Sequence, residues 1–409
     1  MKIDRLHIER LGARADGIGQ WERQDVFVPF ALPGETVSGT LDGNRLTDVK
    51  ILEVVEDRIK PACRHFKTCG GCLTQHIKAE RLRDWKLDTV KATLATAGLT
   101  PEFRPVATSP TNSRRRAMFS GKRTKKAAVI GFHGRGSDQI IPLMECPLVR
   151  PEIEAAFDPL RRLVAMAATR KSEVRVHVTT STGGLDIAVD GAKPLDAQTL
   201  SDVVALTHEA GFARLYWDGE LVLERQPAAQ RFGQANVTPP SGAFLQATAE
   251  GEAALLQGVR DCVGKSKSIL DLFAGCGTFS LPLAAQAEVH AVEGDGAMLA
   301  ALDQGWRKAS GLKRMTTQTQ DLFRSPMLVA ELNKFDAVVI DPPRAGARAQ
   351  TAELAQSDVA NVAFVSCNPA TFARDGAAMV AGGYQLNWVQ VVDQFVWSDH
   401  VELVAHFSK

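Results

Sequence analysis

The chain has 409 residues, 45% of them hydrophobic, which is enough for a large core and, at about 150 residues per domain, for two or three folded units. A formal net charge of +1 carries no global signal for a polyanion, so any nucleic-acid surface has to be a local basic patch. No apolar stretch approaches the roughly 18 to 20 residues that span a bilayer, and the opening MKIDRLHIERLGARADG has no apolar signal core, so no membrane partner and a cytoplasmic location are expected.

In chain order, residues 1–57 break into short strand-like runs, LHIERL, DVFVPF, ETVSGTL and VKILEVVED, separated by turns such as GARADGIG and LPGE. They predict a small β-barrel, of the oligonucleotide-binding (OB) type or another, since strand spacing alone does not choose among barrels. The cysteine-bearing segment RIKPACRHFKTCGGCLTQHI follows, and RLRDWKLDTVKATLATAG at 81–98 has helical periodicity ending at Gly98. Residues 101–235 alternate strand-like runs (AAVIGFH, SEVRVHVTT, LDIAVDG) with helical ones (EIEAAFDPLRRLVAMAATR, AQTLSDVVALTHEAG), so 58–235 is expected to form a central α+β domain. From 236 to 409 the rhythm is regular. A helix at 246–262 leads into SILDLF, VHAVEG, a short strand near MTTQTQ, FDAVVI and VAFVSC, with helices between them and two strands at the end. That alternation predicts a doubly wound, Rossmann-like α/β domain.

In SILDLFAGCGTFSLPLA, Asp271 stands at a strand end before Gly275 and Gly277, and Glu293 ends the next strand. The glycines allow close ligand approach, and the second acidic side chain can take both hydroxyls of a ribose. Ser280 stands where a dinucleotide fingerprint wants a third glycine, and an acid before the turn suits a cationic ligand. S-adenosylmethionine, with a ribose, an adenine, an amino-acid tail and no phosphate, is therefore preferred. Asp321, after the third strand, is a candidate for binding the adenine amino group.

Two further strands end in polar, proline-fixed turns: FDAVVI in Asp341-Pro342-Pro343-Arg344, and VAFV in Ser366-Cys367-Asn368-Pro369. Side by side in one sheet, they put a carboxylate and a thiol at its carboxyl edge, where open α/β sheets bind ligands. A pyrimidine is not nucleophilic at carbon 5, and thiolate addition at carbon 6 makes it so. Cys367 can be that nucleophile, with Asp341 and Arg344 to orient it or the base. Loss of the carbon 5 proton then needs a general base, for which Glu402 in DQFVWSDHVELVAHF is the candidate and His400 its rival.

Seven cysteines are an odd count for a disulfide framework. Cys63, Cys69 and Cys72, with the distant Cys146, supply four soft ligands for a tetrahedral zinc or a [4Fe-4S] cluster, and Gly70 and Gly71 allow the turn between two of them. The lone Cys146 is less typical of zinc, which takes ligands in closely spaced pairs. His65 and His76 are read as ordinary neighbours of these cysteines. Between Ser113 and Lys126 lie Arg114, Arg115, Arg116, Lys122, Arg123, Lys125 and Lys126 with no acidic residue, a basic patch fit for phosphates, and Phe119 among them is a candidate for stacking a base.

Taken together, these residues resemble the uridine-5 methyltransferases of transfer or ribosomal RNA, over almost the whole chain. VFVPFALPGETV is similar to the core of their RNA-binding TRAM barrel, PACRHFKTCGGCLTQH with Cys146 to their [4Fe-4S] ligand set, and SRRRAMFS to the arginine-rich strand after it. LDLFAGCGTFSLPLA, DPPR and SCNP are similar to their cofactor turn, carboxylate loop and nucleophile loop. The resemblance implies that Cys367 is the nucleophile and Glu402 the proton acceptor. It implies that Gln246, Phe273, Thr278, Glu293, Asp321 and Asp341 contact S-adenosylmethionine, and that Cys63, Cys69, Cys72 and Cys146 hold a structural [4Fe-4S] cluster. RNA, ribosomal before transfer RNA, is the expected partner of a monomeric protein, through Arg114, Arg115, Arg116, Lys122 and Arg123. Two positions depart from the pattern: Val396 stands where relatives carry proline, and Thr248 where the Phe-x-Gln signature continues to asparagine.

Overall fold

A computed structural model describes residues 1–125 and 127–409; Lys126 of the basic run lies outside the described residues. Among the described residues the strands form three large sheets and one small hairpin, Gln230–Phe232 with Ala235–Val237. No helix among them is long and apolar enough to cross a membrane.

The first sheet runs in the order Lys2–His7, Thr36–Asp42, Arg45–Glu53, Gln24–Val28, Gly17–Trp21 and Arg10–Leu11, around a core that includes Ile3, Ile8, Val28, Val37 and Leu46. The strand Gly17–Trp21 falls partly in a stretch that the sequence reads as a turn. Its glycines serve close approach instead: a Cβ on Gly19 would lie 2.3 Å from the carbonyl oxygen of His7, so the sheet folds its first strand over this one.

The second sheet has the order Ile140–Pro142, Ala128–His133, Arg116–Arg123, Glu173–Ser181, Gly184–Asp190, Arg214–Trp217 and Glu220–Glu224. Alternation along Glu173–Ser181 and Gly184–Asp190 buries Val174, Val176, Val178, Ile187 and Val189, against which the amphipathic helix Phe157–Ala167 contributes Leu160, Leu163 and Val164.

The third sheet positions the site. Its order is Met315–Thr319, Glu288–Glu293, Ser268–Leu272, Ala337–Ile340, Asn361–Ser366, Glu402–Ser408, Gln385–Asp393 and Glu102–Thr108. The first five strands are parallel, and the inner three, Ser268–Leu272, Ala337–Ile340 and Asn361–Ser366, are almost wholly buried, as strands covered on both faces must be, while the edge strand Met315–Thr319 is polar and largely exposed. Strand order reverses between Ser268–Leu272 and Ala337–Ile340, which opens a crevice at their carboxyl ends. Glu402–Ser408 returns antiparallel beside Asn361–Ser366, with Leu403 opposite Ser366. The edge strand Glu102–Thr108, which the sequence assigns to the central unit, joins this sheet by parallel pairing with Gln385–Asp393.

Phe364, fully buried in the central strand, meets Phe372 edge-to-face with ring centroids 5.3 Å apart and Phe407 at 6.3 Å. Phe364→Ala is expected to cost about 3–5 kcal/mol, read from the midpoint of a urea unfolding curve.

Candidate active site

One cavity of about 520 Å³ lies in that crevice. Gln246, Phe273, Thr278, Glu293, Asp321, Asp341, Cys367 and Glu402, drawn from strand ends and turns far apart in the chain, all line it. Each stands where its local structure demands. Phe273 has φ +61° in the turn after Ser268–Leu272, and its ring lies 5.5 Å from that of Phe323. Gly277 has φ +90°, and a Cβ there would press within 2.9 Å of Leu302, so the turn closes tightly only with glycine. Glu293 is held by the Gly275 and Asp295 amides, both at 3.0 Å, and the Asp321 carboxylate accepts from the Phe323 amide at 3.0 Å. Asp271, read from sequence as facing a cationic ligand, does not line the cavity. It is fully buried behind the turn, where the Ser280 hydroxyl donates to it.

The thiol and its two carboxylates meet through backbone register. Asp341 directly follows Ala337–Ile340 and Cys367 directly follows Asn361–Ser366, the adjacent parallel strand. Because Glu402–Ser408 runs back antiparallel, its first residue comes to the same edge. The loops are laced together: Asn368 caps the helix Pro369–Ala381 through the Ala370 amide, and its side chain donates to the Arg344 carbonyl at 3.1 Å. Burial pushes the Cys367 thiol up to about 11, the nearby Glu402 and Asp341 carboxylates add to the push, and Arg344 opposes it. Burial, then Asp341, raises Glu402 to about 8; burial, then Asp271, raises Asp341 to about 7. In the free protein the site thus holds a neutral thiol among carboxylates at the edge of ionisation, a setting that a cation entering the cavity would relieve.

Gln394 is a residue that sequence reasoning missed. Buried, it donates to the Gln246 side chain at 2.6 Å, accepts from the Ala247 amide at 2.8 Å and hydrogen-bonds Glu402, while Gln246 reaches Asp341 at 3.4 Å. Phe323, two residues after Asp321, was likewise unmarked. His400 lines the cavity edge-on to Phe395.

The arginines divide. Arg116 stacks over Phe244 at the cavity mouth, 4.7 Å from the ring centroid, and its buried Nε has no hydrogen-bond partner; Arg114 lies 5.9 Å from the Phe395 ring centroid. Arg115, expected to face RNA, is a correction: it is buried, pairs with Glu252 and donates to the Gln246 carbonyl at 2.8 Å, because it lies in the segment just before the strand Arg116–Arg123, where its amide also bonds the Ala247 carbonyl and its side chain faces inward. Lys122 and Arg123 are exposed farther along the same strand. Phe119, proposed from sequence to stack a base, is fully buried in the core against Phe132 and Phe157.

Cys63, Cys69, Cys72 and Cys146 line a second, small cavity. Each sulfur accepts a hydrogen bond: Cys63 from the His65 amide and Cys69 from the Gly71 amide, both at 3.4 Å, Cys72 from Gln75, and Cys146 from the Leu148 and Val149 amides. Donors aimed at sulfur suit thiolates held by a cation. Burial pushes Cys72 up to about 12 and Cys146 up to about 11, although Arg135 stands near Cys69 and Cys72, and Arg114 near Cys72 and Cys146. Among the described residues no three His, Cys, Asp or Glu side chains are gathered for a metal ion. One ion at about 2.3 Å from each sulfur would need the thiolates in near contact, whereas a cluster keeps them apart by its own width. His65 accepts from the Met144 amide and His76 is buried between Phe30 and Phe66; neither lines this cavity.

A sequence profile described as tRNA (Uracil-5-)-methyltransferase matches residues 308–409. An uncharacterized RNA methyltransferase of Mesorhizobium japonicum is 44% identical over 405 residues, which cover 99% of this chain and 98% of the relative. The 23S rRNA (uracil(1939)-C(5))-methyltransferase RlmD of a Marinomonas species is 28% identical over 100% of this chain and 95% of its own. Among solved structures, the Pyrococcus abyssi tRNA (uracil-54, C5)-methyltransferase in complex with S-adenosyl-L-homocysteine has a TM-score of 0.77 at 21% identity, over 98% of this chain and 99% of that one. At that identity the likeness is one of fold.

Alkylation of Cys367 requires the thiolate, so its rate in the free protein is expected to climb with pH toward about 11. Above Glu402's own titration at about 8, Glu402→Gln should speed it by removing a neighbouring negative charge. Peptide mapping after iodoacetamide treatment measures both, and a rate that levels off near neutrality contradicts this electrostatic account.

Proposed function

The chain belongs to the RNA uracil-5-methyltransferase family, whose members use S-adenosylmethionine, and on that premise we propose that Cys367 is its nucleophile and Glu402 its general base. The observation that carries the proposal is the meeting of the Cys367 thiol and the Glu402 carboxylate in the switch-point cavity beside the glycine turn. S-adenosylmethionine, when bound, supplies an electrophilic methyl group on a cationic sulfur. The residues proposed to hold it are Phe273, Thr278, Glu293 and Asp321, with Gln246 and Asp341 on the side toward Cys367; its positive charge suits a cavity rich in carboxylates.

Cys367, as its thiolate, adds to carbon 6 of the uracil ring, which turns carbon 5 into the carbon of an enolate. Carbon 5 accepts the methyl group, Glu402 takes the carbon 5 proton, and the electrons left behind expel the Cys367 thiolate. Asp341 and Arg344 orient the ring. Arg114 and Arg116, at the mouth, are proposed to meet RNA, and Lys122 and Arg123 to meet phosphates farther off. The N-terminal sheet is proposed to be a TRAM barrel that binds RNA.

For the target we favour a uridine of 23S ribosomal RNA, supported by likeness to RlmD over the whole chain. The profile description and the archaeal fold neighbour keep transfer RNA as the second reading. Mapping 5-methyluridine in the RNA of a deletion strain decides between them. We also propose that Cys63, Cys69, Cys72 and Cys146 hold a [4Fe-4S] cluster with a structural role, and that the protein acts as a monomer.

Cys367→Ala is expected to abolish turnover while S-adenosylmethionine binding survives, and Glu402→Gln to accumulate a methylated protein–RNA adduct seen as a slow band on denaturing gels. Normal product from Cys367→Ala removes the nucleophile assignment. Anaerobically purified protein should carry iron and acid-labile sulfide with a visible absorption shoulder; zinc in their place overturns the cluster.

A further inference from the structure

We propose that Lys86 is a positioning residue for the reaction: from the helix Ala79–Thr96 its ammonium fixes the loop of residues 393–400, and so sets where Phe395, His400 and Glu402 stand in the cavity. The inference rests on the reading of Glu402 as the base. Lys86 lies in an otherwise apolar row, Leu82, Lys86, Val90, Leu94, spaced four apart along one helix face and buried throughout. A lysine in that row needs a reason. Its ammonium has three donors, and all three are used: on Asp393 Oδ1 at 2.6 Å, on the Phe395 carbonyl at 3.1 Å and on the His400 carbonyl at 3.2 Å.

Both ends of the loop therefore meet on one buried cation. Asp393 Oδ1 also accepts from the Phe395 amide at 3.1 Å, which turns the chain out of the strand Gln385–Asp393. The middle of the loop is held separately: Trp397, at φ +63°, presents its carbonyl to the Leu73 and Thr74 amides at 2.7 and 3.2 Å. Val396 brings no ring to stiffen the backbone, so these hydrogen bonds set its course. Glu402 follows two residues after His400, and Gln394, inside the same loop, contacts both Glu402 and Gln246. A buried lysine–aspartate pair is a weak device for stability, since apolar residues of similar volume usually replace such pairs at little loss. Two backbone carbonyls fixed at once are something apolar residues cannot supply.

The test uses the full chain with substrate RNA and S-adenosylmethionine. Lys86→Met with Asp393→Leu removes both charges and keeps volume; Lys86→Gln with Asp393→Asn is a near-isosteric second pair should the first fail to fold. The folded pair variant is expected to bind S-adenosylmethionine as the parent does and to form the Cys367 adduct, but to resolve it about ten- to a hundredfold more slowly, as expected for a misplaced base. A folded pair variant whose adduct decays at the parent rate overturns the proposal. So does a loss of S-adenosylmethionine binding and adduct formation in step with the loss of fold, which marks a merely structural role. Glu402→Gln in the parent background runs alongside. If it makes free product without adduct, the reading of Glu402 fails; if it traps adduct while the pair variant does not, the role of Lys86 alone fails.

Discussion

The site depends on one backbone constraint, the antiparallel return of Glu402–Ser408 beside Asn361–Ser366. In a parallel sheet every strand presents its last residues at the carboxyl edge, so strand ends alone supply Asp341 and Cys367. A strand that runs the other way presents its first residue there, and that residue is Glu402. The same register brings Val392 opposite Glu402, so the loop of residues 393–400 must close over the edge on which the thiol stands. An acid delivered this way is buried by the sheet that delivers it, and burial is the main reason its carboxyl rises to about 8.

The N-terminal half of the chain reaches the site through that loop. The segment bearing Cys63, Cys69 and Cys72 hands two amides to the Trp397 carbonyl, and the helix that follows contributes Lys86. Arg115 ties the central sheet to the Gln246 carbonyl and to Glu252, and Thr248, the residue that departs from the family signature, still caps the next helix through the Gly251 amide at 2.9 Å and meets the Ser109 hydroxyl at 2.7 Å. The residues leading into the arginine-rich strand and the C-terminal sheet thus share a polar network around Gln246 and Gln394, while the cysteine segment holds the loop of residues 393–400 through the Trp397 carbonyl.

Much of this was legible in advance because it is written in local pattern. Apolar runs followed by Gly275 and Gly277, by Asp341-Pro342-Pro343 and by Ser366-Cys367-Asn368-Pro369 declare strand ends, and strand ends in a doubly wound sheet share one edge. What failed was legibility of facing. Arg114, Arg115 and Arg116 read as one basic patch, yet the middle one, just before the strand Arg116–Arg123, faces the interior. Asp271 read as a ligand contact, yet the turn that follows covers it. Gly17 and Gly19 read as turn residues, yet they sit in a strand because another backbone crosses them. Lys86 left a signal, a charge in an apolar helical row, but its partners are more than three hundred residues away.

By itself, the sequence determined the order of strands and helices in the C-terminal half, the family, and which side chains are chemically able to act, since periodicity, turn chemistry and residue type are local properties. Only the tertiary structure decided which of those side chains share a cavity, that Arg115 and Lys86 are internal ties, and that Gln394 joins Gln246 to Glu402. Contact between residues far apart in the chain depends on strand direction, register and burial, and those follow from how the whole sheet packs.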